Sequence, residues 1–213
     1  EWSKENIASK FLECFQRDIR LGYSEGFYNL LTQVKSGKEL IHALISTSER
    51  NGAAMRSMPI GFLKNKNDVI SFATLQAQIT HNTNLGISSS CAVALAAYFG
   101  LQENGTLAEL KNFLEDEGFN DWNFNWQERV SLSAYDTVSA VFSCLLKNDS
   151  MSSLLKACIK LGGDTDSVAS IAIGLATCFT EYKNDLPIHL FEMLKENEYG
   201  IPFLKNLDKD LIN

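Results

Sequence analysis

The chain is poor in proline, has no paired-cysteine pattern, no basic stretch and no long apolar run. Three prolines in 213 residues leave few obligatory breaks, which disfavours a turn-rich all-β architecture and leans towards long helices. The cysteines, Cys14, Cys91, Cys144, Cys158 and Cys178, are odd in number and widely spaced, with no C-x-x-C. Neither a disulfide framework nor a zinc clip follows from them. Their apolar neighbours predict buried free thiols in a reducing compartment. With 19 Lys+Arg against 26 Asp+Glu, the net charge is −7. A nucleic-acid binder would need a local basic stripe on that background, and none occurs. The longest uninterrupted apolar run, Cys91 to Phe99, is too short to span a bilayer. The expectation is a cytoplasmic protein with no nucleic-acid and no membrane partner. The chain begins Glu1-Trp2-Ser3, without Met or a signal-like segment, and reads as starting inside a longer domain.

What is present is apolar material in helical register. A hydrophobic fraction of 45% supports a large core and excludes a disordered linker or a small stapled scaffold. Ile7, Phe11, Leu12 and Phe15 predict a helix over residues 3–17, with Gly22 as a left-handed stop. Further helices are predicted over 26–34 and around Leu40, Ile41, Leu44 and Ile45. Another carries Val69, Phe72, Ala73, Gln76, Ala77 and Ile79 on one stripe. Residues 86–101 are apolar on nearly every face, the pattern of a buried central helix. Helices are expected again over 106–117, 128–146 and 150–161, after Asp164, and after Pro187, with an irregular tail from Glu198. Residues 46–61 read as an ordered loop, and 118–127 as a surface loop pinned by Phe119, Trp122, Phe124 and Trp126. The sum is an all-α, single-domain bundle of roughly ten helices over residues 1–213.

The densest chemistry lies in Leu161-Gly162-Gly163-Asp164-Thr165-Asp166-Ser167-Val168, which joins two apolar helices. One reading is purely structural: the glycines end one helix, and Asp164 or Thr165 caps the next. The other starts from the crowding of two carboxylates and a hydroxyl at one helix start, where one cap would suffice. Asp164, Asp166 and Ser167 are hard oxygen donors, suited to Mg²⁺, Mn²⁺ or Ca²⁺ and too few to complete such a site alone.

The segment from Leu161 to Ala169 resembles the C-terminal metal motif of the ADP-ribosylglycohydrolases. Asn51-Gly52-Ala53-Ala54-Met55-Arg56, followed by Pro59-Ile60-Gly61, resembles that family's central Asn-Gly-x-x-Met-Arg loop. Thr80-His81 matches its Thr-His step before a buried Ala-rich helix. The resemblance implies an all-α domain with a binuclear Mg²⁺ or Mn²⁺ site. It implies hydrolysis at ribose C1″ of an ADP-ribosylated protein or a small ADP-ribosyl compound. By the same resemblance, Asp164, Asp166 and Ser167 match metal ligands, and Ser48, Asn51, Gly52 and His81 match positions lining an ADP-ribose pocket. Met55 and Arg56 match the rest of the loop motif, as buttresses.

The chain also departs from the family pattern. The Gly-Asp-Ala-x-Gly and Asp-Asp-Thr motifs, which carry the opposing metal ligands and an acid/base carboxylate, do not occur. No catalytic residue is therefore assigned. A catalytically incomplete member acting as an ADP-ribose-binding or structural protein is the alternative. Three further residues admit two readings each. His81 reads as a general base or as a helix-terminal side chain bonded to backbone. Arg56 reads as a pyrophosphate ligand or as a buried cation paired to Asp or Glu. The aromatics at 119–126 read as an adenine platform or as hydrophobic pins.

Overall fold

The computed structural model describes residues 2–193, 196 and 198–212; Glu1 and Asn213, the ends of the expected domain, lie outside them. Helix α1 (Lys4–Arg17) opens at Ser3, whose hydroxyl accepts the Asn6 N–H, and it buries Ile7, Ala8, Leu12 and Phe15. Helices α2 (Glu25–Gln33) and α3 (Gly37–Ala43) close over that face and form a small core with it. Two local readings are corrected here. The chain leaves α1 at Asp18, and Gly22, although at φ 133°, lies in the following loop. Helix α3 ends before Leu44, which is extended, so Ile45 is left 83% exposed.

The main core is built on the buried segment. Helix α4 (Gly52–Met55) and a 3₁₀ turn (Met58–Phe62) lie within the 46–61 stretch read as loop. Helix α5 (Lys66–Thr80) then leads into α6 (Asn84–Gln102), which α5, the 3₁₀ turn, α7 (Leu107–Asp116) and α8 (Ala134–Leu146) surround. By length and composition α6 could cross a membrane, but 72% of its apolar window is buried inside this fold. Its neighbours come very close. A Cβ on Gly61 would stand 2.5 Å from the Ala97 Cβ and 2.6 Å from the Tyr98 backbone nitrogen, so only glycine lets the 3₁₀ turn reach α6.

Helices α9 (Met151–Leu161) and α10 (Thr165–Ala176) pack on α8 and bury the apolar faces that their periodicity marks. Residues 128–133, expected to be helical, are non-helical, with isolated bridges at Val130 and Ser133, for a reason given below. The tail is also corrected: after the short α11 (Ile188–Glu192), residues from Ile201 to Ile212 form α12. Arg17 on α1 lies over the rings of Tyr199 and Phe203, which anchors that tail. The all-α class holds, with twelve α-helices and no strand beyond isolated bridges among the described residues. Four cysteines are buried free thiols, but Cys14 is exposed, because it falls on the outer face of α1.

Gly61→Ala is expected to lower stability by about 3 kcal/mol through overpacking against α6, read as a fall in the urea midpoint.

Candidate functional site

The two motif regions lie far apart in sequence and are joined by one extended segment. Asn51 donates its backbone N–H to the Leu132 carbonyl, and Ala134 donates to Glu49. On the other side, Val130 donates to the Gly162 carbonyl, and Asp164 donates to the Val130 carbonyl. Residues 130–134 thus form a strap bonded to the Asn51 loop along one part and to the Gly162-Gly163 turn along another. These bonds satisfy backbone groups that a helix would have satisfied internally, which is why the helix starts only at Ala134. Gly163 is required at this junction. Its φ is +84°, and a Cβ there would fall 1.9 Å from the Val130 carbonyl oxygen.

The strap brings Asn51 to Asp164. The Asn51 side-chain amide, buried within the fold, donates to Asp164 Oδ2 at 2.5 Å and to Thr137 Oγ1 on α8 at 2.9 Å. Asp164 sits at the N-cap position of α10, yet its side chain makes no capping hydrogen bond there. The purely structural reading of this Asp is therefore corrected: its carboxylate is committed to Asn51. Asp166, in the first turn, is exposed, and Ser167 is buried with its hydroxyl directed at Met55 Sδ, 3.5 Å away. The helix start favours the negative charge of both carboxylates. Among the described residues no three His, Cys, Asp or Glu side chains gather as a metal cluster, so the oxygen donors of this turn stand on one side only. Ser48 is half-buried, its hydroxyl accepting the Arg50 N–H at 3.3 Å.

His81 reaches the same loop from the end of α5. A backbone bridge pairs it with Thr47, and its ring lies against Gly52, where a Cβ would be 3.1 Å from Cε1. Its Nδ1 is 2.6 Å from Thr80 Oγ1, so the ring is held by a side chain and not by backbone. Arg56 is not the carboxylate-paired cation of one of its two readings. Its Nε donates to Gln76 Oε1 at 2.6 Å, Nη1 to the Gly52 carbonyl at 2.9 Å and Nη2 to Thr80 Oγ1 at 2.7 Å, while Phe11 lies over its plane at 4.9 Å. No carboxylate is among these partners. Burial pushes the Arg56 pKa down to about 10, which still leaves it charged at neutral pH. Burial and then the Arg56 charge push His81 down to about 4.

These features match a family defined across the chain: the family model for ADP-ribosylglycohydrolase matches residues 1–212. The chain belongs to the ADP-ribosylglycohydrolase family. It is 23% identical over 237 residues to "ADP-ribosylhydrolase ARH3" of Xenopus tropicalis, taking in 84% of this chain and 67% of that protein. It is 24% identical over 231 residues to "ADP-ribosylhydrolase ARH3" of Homo sapiens, taking in 82% of this chain and 64% of that protein. The chain thus spans about two thirds of the length of these relatives. Among solved structures, an ADP-ribosylglycohydrolase-related protein complex superposes with a TM-score of 0.65 at 16% identity, over 83% of this chain and 64% of that one. That likeness concerns the fold.

Several residues of this candidate site escaped the sequence reading. Thr137 carries no signal, because it reaches Asn51 only through the packing of α8. Gln76 had one: a polar side chain on an otherwise apolar stripe, now seen to accept from Arg56 and to donate to Ser90 Oγ at 2.5 Å and to the Ala53 carbonyl at 3.1 Å. The aromatic loop is pinned. Trp122 is buried beside Phe142 and Tyr135, and Ser139 and Ser143 on α8 accept the Asn123 and Trp126 backbone N–H groups.

Two outcomes are expected. Gly163→Ala forces the strap away from the turn and costs about 3 kcal/mol or more in urea unfolding. The His81 shift has a definite sign. A folded pKa near 4 lies below the unfolded value of about 6.5, so the neutral ring favours folding fully above pH 6.5 and loses that contribution as pH falls through 4. Wild type should therefore lose on the order of 2 kcal/mol more stability than His81→Gln between pH 7 and pH 4; parallel curves would refute the shift.

Proposed function

We propose that this chain carries the site of a metal-dependent hydrolase that cleaves the glycosidic bond at ribose C1″ of an ADP-ribosylated protein or small ADP-ribosyl compound. The observation that carries the reading is the contact of Asn51 with Asp164. It joins the loop matched to ADP-ribose binding with the turn matched to metal binding. A pure cap would leave that carboxylate on its own helix.

In this reading Asp164, Asp166 and Ser167 hold Mg²⁺ or Mn²⁺, as one side of a binuclear site, through hard oxygen donors. Such an ion, when bound, supplies the positive charge that orients the ribose diol and a water. The chain's own residues do the rest. Asn51 aims the Asp164 carboxylate, with Thr137 holding the amide in place. Gly52 has no side chain to separate the His81 ring from the turn, which lets a ligand approach both. Ser48 lines the same loop. Bond cleavage at C1″ passes through an oxocarbenium-like state that needs carboxylate acid/base help, and no residue of this chain is assigned to that role. The buried thiols fit a reducing, cytoplasmic setting.

A second reading has its own support. Hard cations take six or more ligands, while the donors here are confined to one helix start. A catalytically incomplete member that binds ADP-ribose fits that arrangement. Calorimetry with ADP-ribose, with and without Mg²⁺, tests both readings together with an assay for ADP-ribose release from arginine- and serine-linked substrates. The hydrolase reading expects Mg²⁺-dependent release, with Asp164→Ala and Asp166→Ala each losing it at least a hundredfold. Binding without release selects the second reading, and full turnover by either variant sinks the first.

A further inference from the structure

Arg56 is a partly buried cation whose hydrogen bonds to the described residues all go to neutral acceptors. Besides Gln76 Oε1, the Gly52 carbonyl and Thr80 Oγ1, its Nη2 faces the Gln76 carbonyl at 3.3 Å. Withdrawing a guanidinium even partly from water without a counter-charge is costly, and these acceptors offset that cost only if they stay in place. The cation therefore fixes its surroundings: the turn at Gly52, the amide of Gln76 and the hydroxyl of Thr80. Gln76 and Thr80 are 3% and 8% exposed, so solvent does not compete for them.

The Thr80 hydroxyl passes the order on. A hydroxyl that accepts a hydrogen bond from a guanidinium has its own proton left to donate. His81 Nδ1, at 2.6 Å, is the ring nitrogen placed to receive it. A ring nitrogen that accepts carries no proton, so with Thr80 as donor the imidazole proton would sit on Nε2. Nε2 makes no hydrogen bond among the described residues, and it is not among their sealed, unpartnered side-chain atoms, where Trp122 Nε1 stands. Nε2 lies 3.3 Å from the point where a Gly52 Cβ would be, facing the Asn51–Gly52 turn.

We propose that Arg56 and Thr80 are positioning residues: through Nη2, Oγ1 and Nδ1 they lock His81 in the Nε2–H tautomer and aim that N–H at an acceptor oxygen of the ligand seated on the Asn51–Gly52 turn. His81 is then a fixed hydrogen-bond donor to a phosphate or sugar oxygen. It is not a general base, because its basic nitrogen is occupied by Thr80. The proposal deepens the reading above and rests on it for the identity of the ligand alone. The adjacent Arg56 charge also opposes ring protonation, which agrees with the fall of the His81 pKa to about 4.

The test is nitrogen-15 NMR of the imidazole rings in the intact chain at neutral pH, with His81 assigned by loss of its signals in His81→Gln. The expected result is a proton on Nε2 in wild type. Thr80→Val, close in shape but lacking the hydroxyl, should shift the proton to Nδ1 or to a mixture, and Thr80→Ser should restore Nε2–H. A wild-type ring protonated on Nδ1, or a Thr80→Val ring with an unchanged tautomer, would overturn the relay. Calorimetry supplies the separate functional arm. If ADP-ribose is the ligand, Thr80→Val weakens its binding about tenfold and Thr80→Ser recovers it. Absence of ADP-ribose binding in wild type would count against the functional reading, while the tautomer still decides the relay.

Discussion

Four backbone hydrogen bonds along residues 130–134 hold the Asn51 loop and the Asp164 turn together. They run from this strap to the Asn51 loop on one side and to the Gly162-Gly163 turn on the other. They act as a set more than through any single bond. Each net contribution is only about 1 kcal/mol, but an unmade bond here would leave a polar group enclosed. The strap also explains the absence of side chains at its ends. Gly163 permits the approach to Val130, and Asp164 follows it directly, so the carboxylate emerges where Asn51 can hold it.

The second organising element is electrostatic. Arg56 is enclosed among neutral acceptors and the Phe11 ring, in a place where a carboxylate partner would have been the simpler solution. An ion pair there would have neutralised the charge locally. Neutral partners instead leave its field acting on His81, which is next in line beyond Thr80. The same cation ties α1, through Phe11, to the loop and to α5. The small core of α1, α2 and α3 is thereby coupled to the site it does not line.

The architecture was largely legible because its helices carry strong periodicity. Residues 86–101 could only be a buried helix, and the stripe Met151, Leu154, Cys158 is buried as its spacing implies. The errors share one cause. Residues 128–133, the inner part of 46–61 and the tail after Glu198 owe their conformations to contacts with distant segments. Local propensity is a weak guide there. Asn51, Gly52 and His81 were found through motif order and come together at one loop, and Asp164 joins them through Asn51. Asp166, exposed on the first turn of α10, and Ser48, bonded to the Arg50 N–H, make no hydrogen bond to that cluster among the described residues. Thr137 could not have been found, since nothing in the neighbourhood of residue 137 marks it out.

The sequence alone determined that this is a helical protein, which helices are buried, and that three motifs stand in the order of the ADP-ribosylglycohydrolases. Periodicity and motif spacing are local properties, written in consecutive residues. Tertiary structure decided what those motifs do to one another. It withdrew Asp164 from capping, gave Arg56 to Thr80 and Gln76 instead of to an acid, and turned a stretch read as helix into the strap. Each of these outcomes depends on which distant backbone or side-chain group can satisfy a buried hydrogen-bonding group. That accounting closes only when the whole chain is folded.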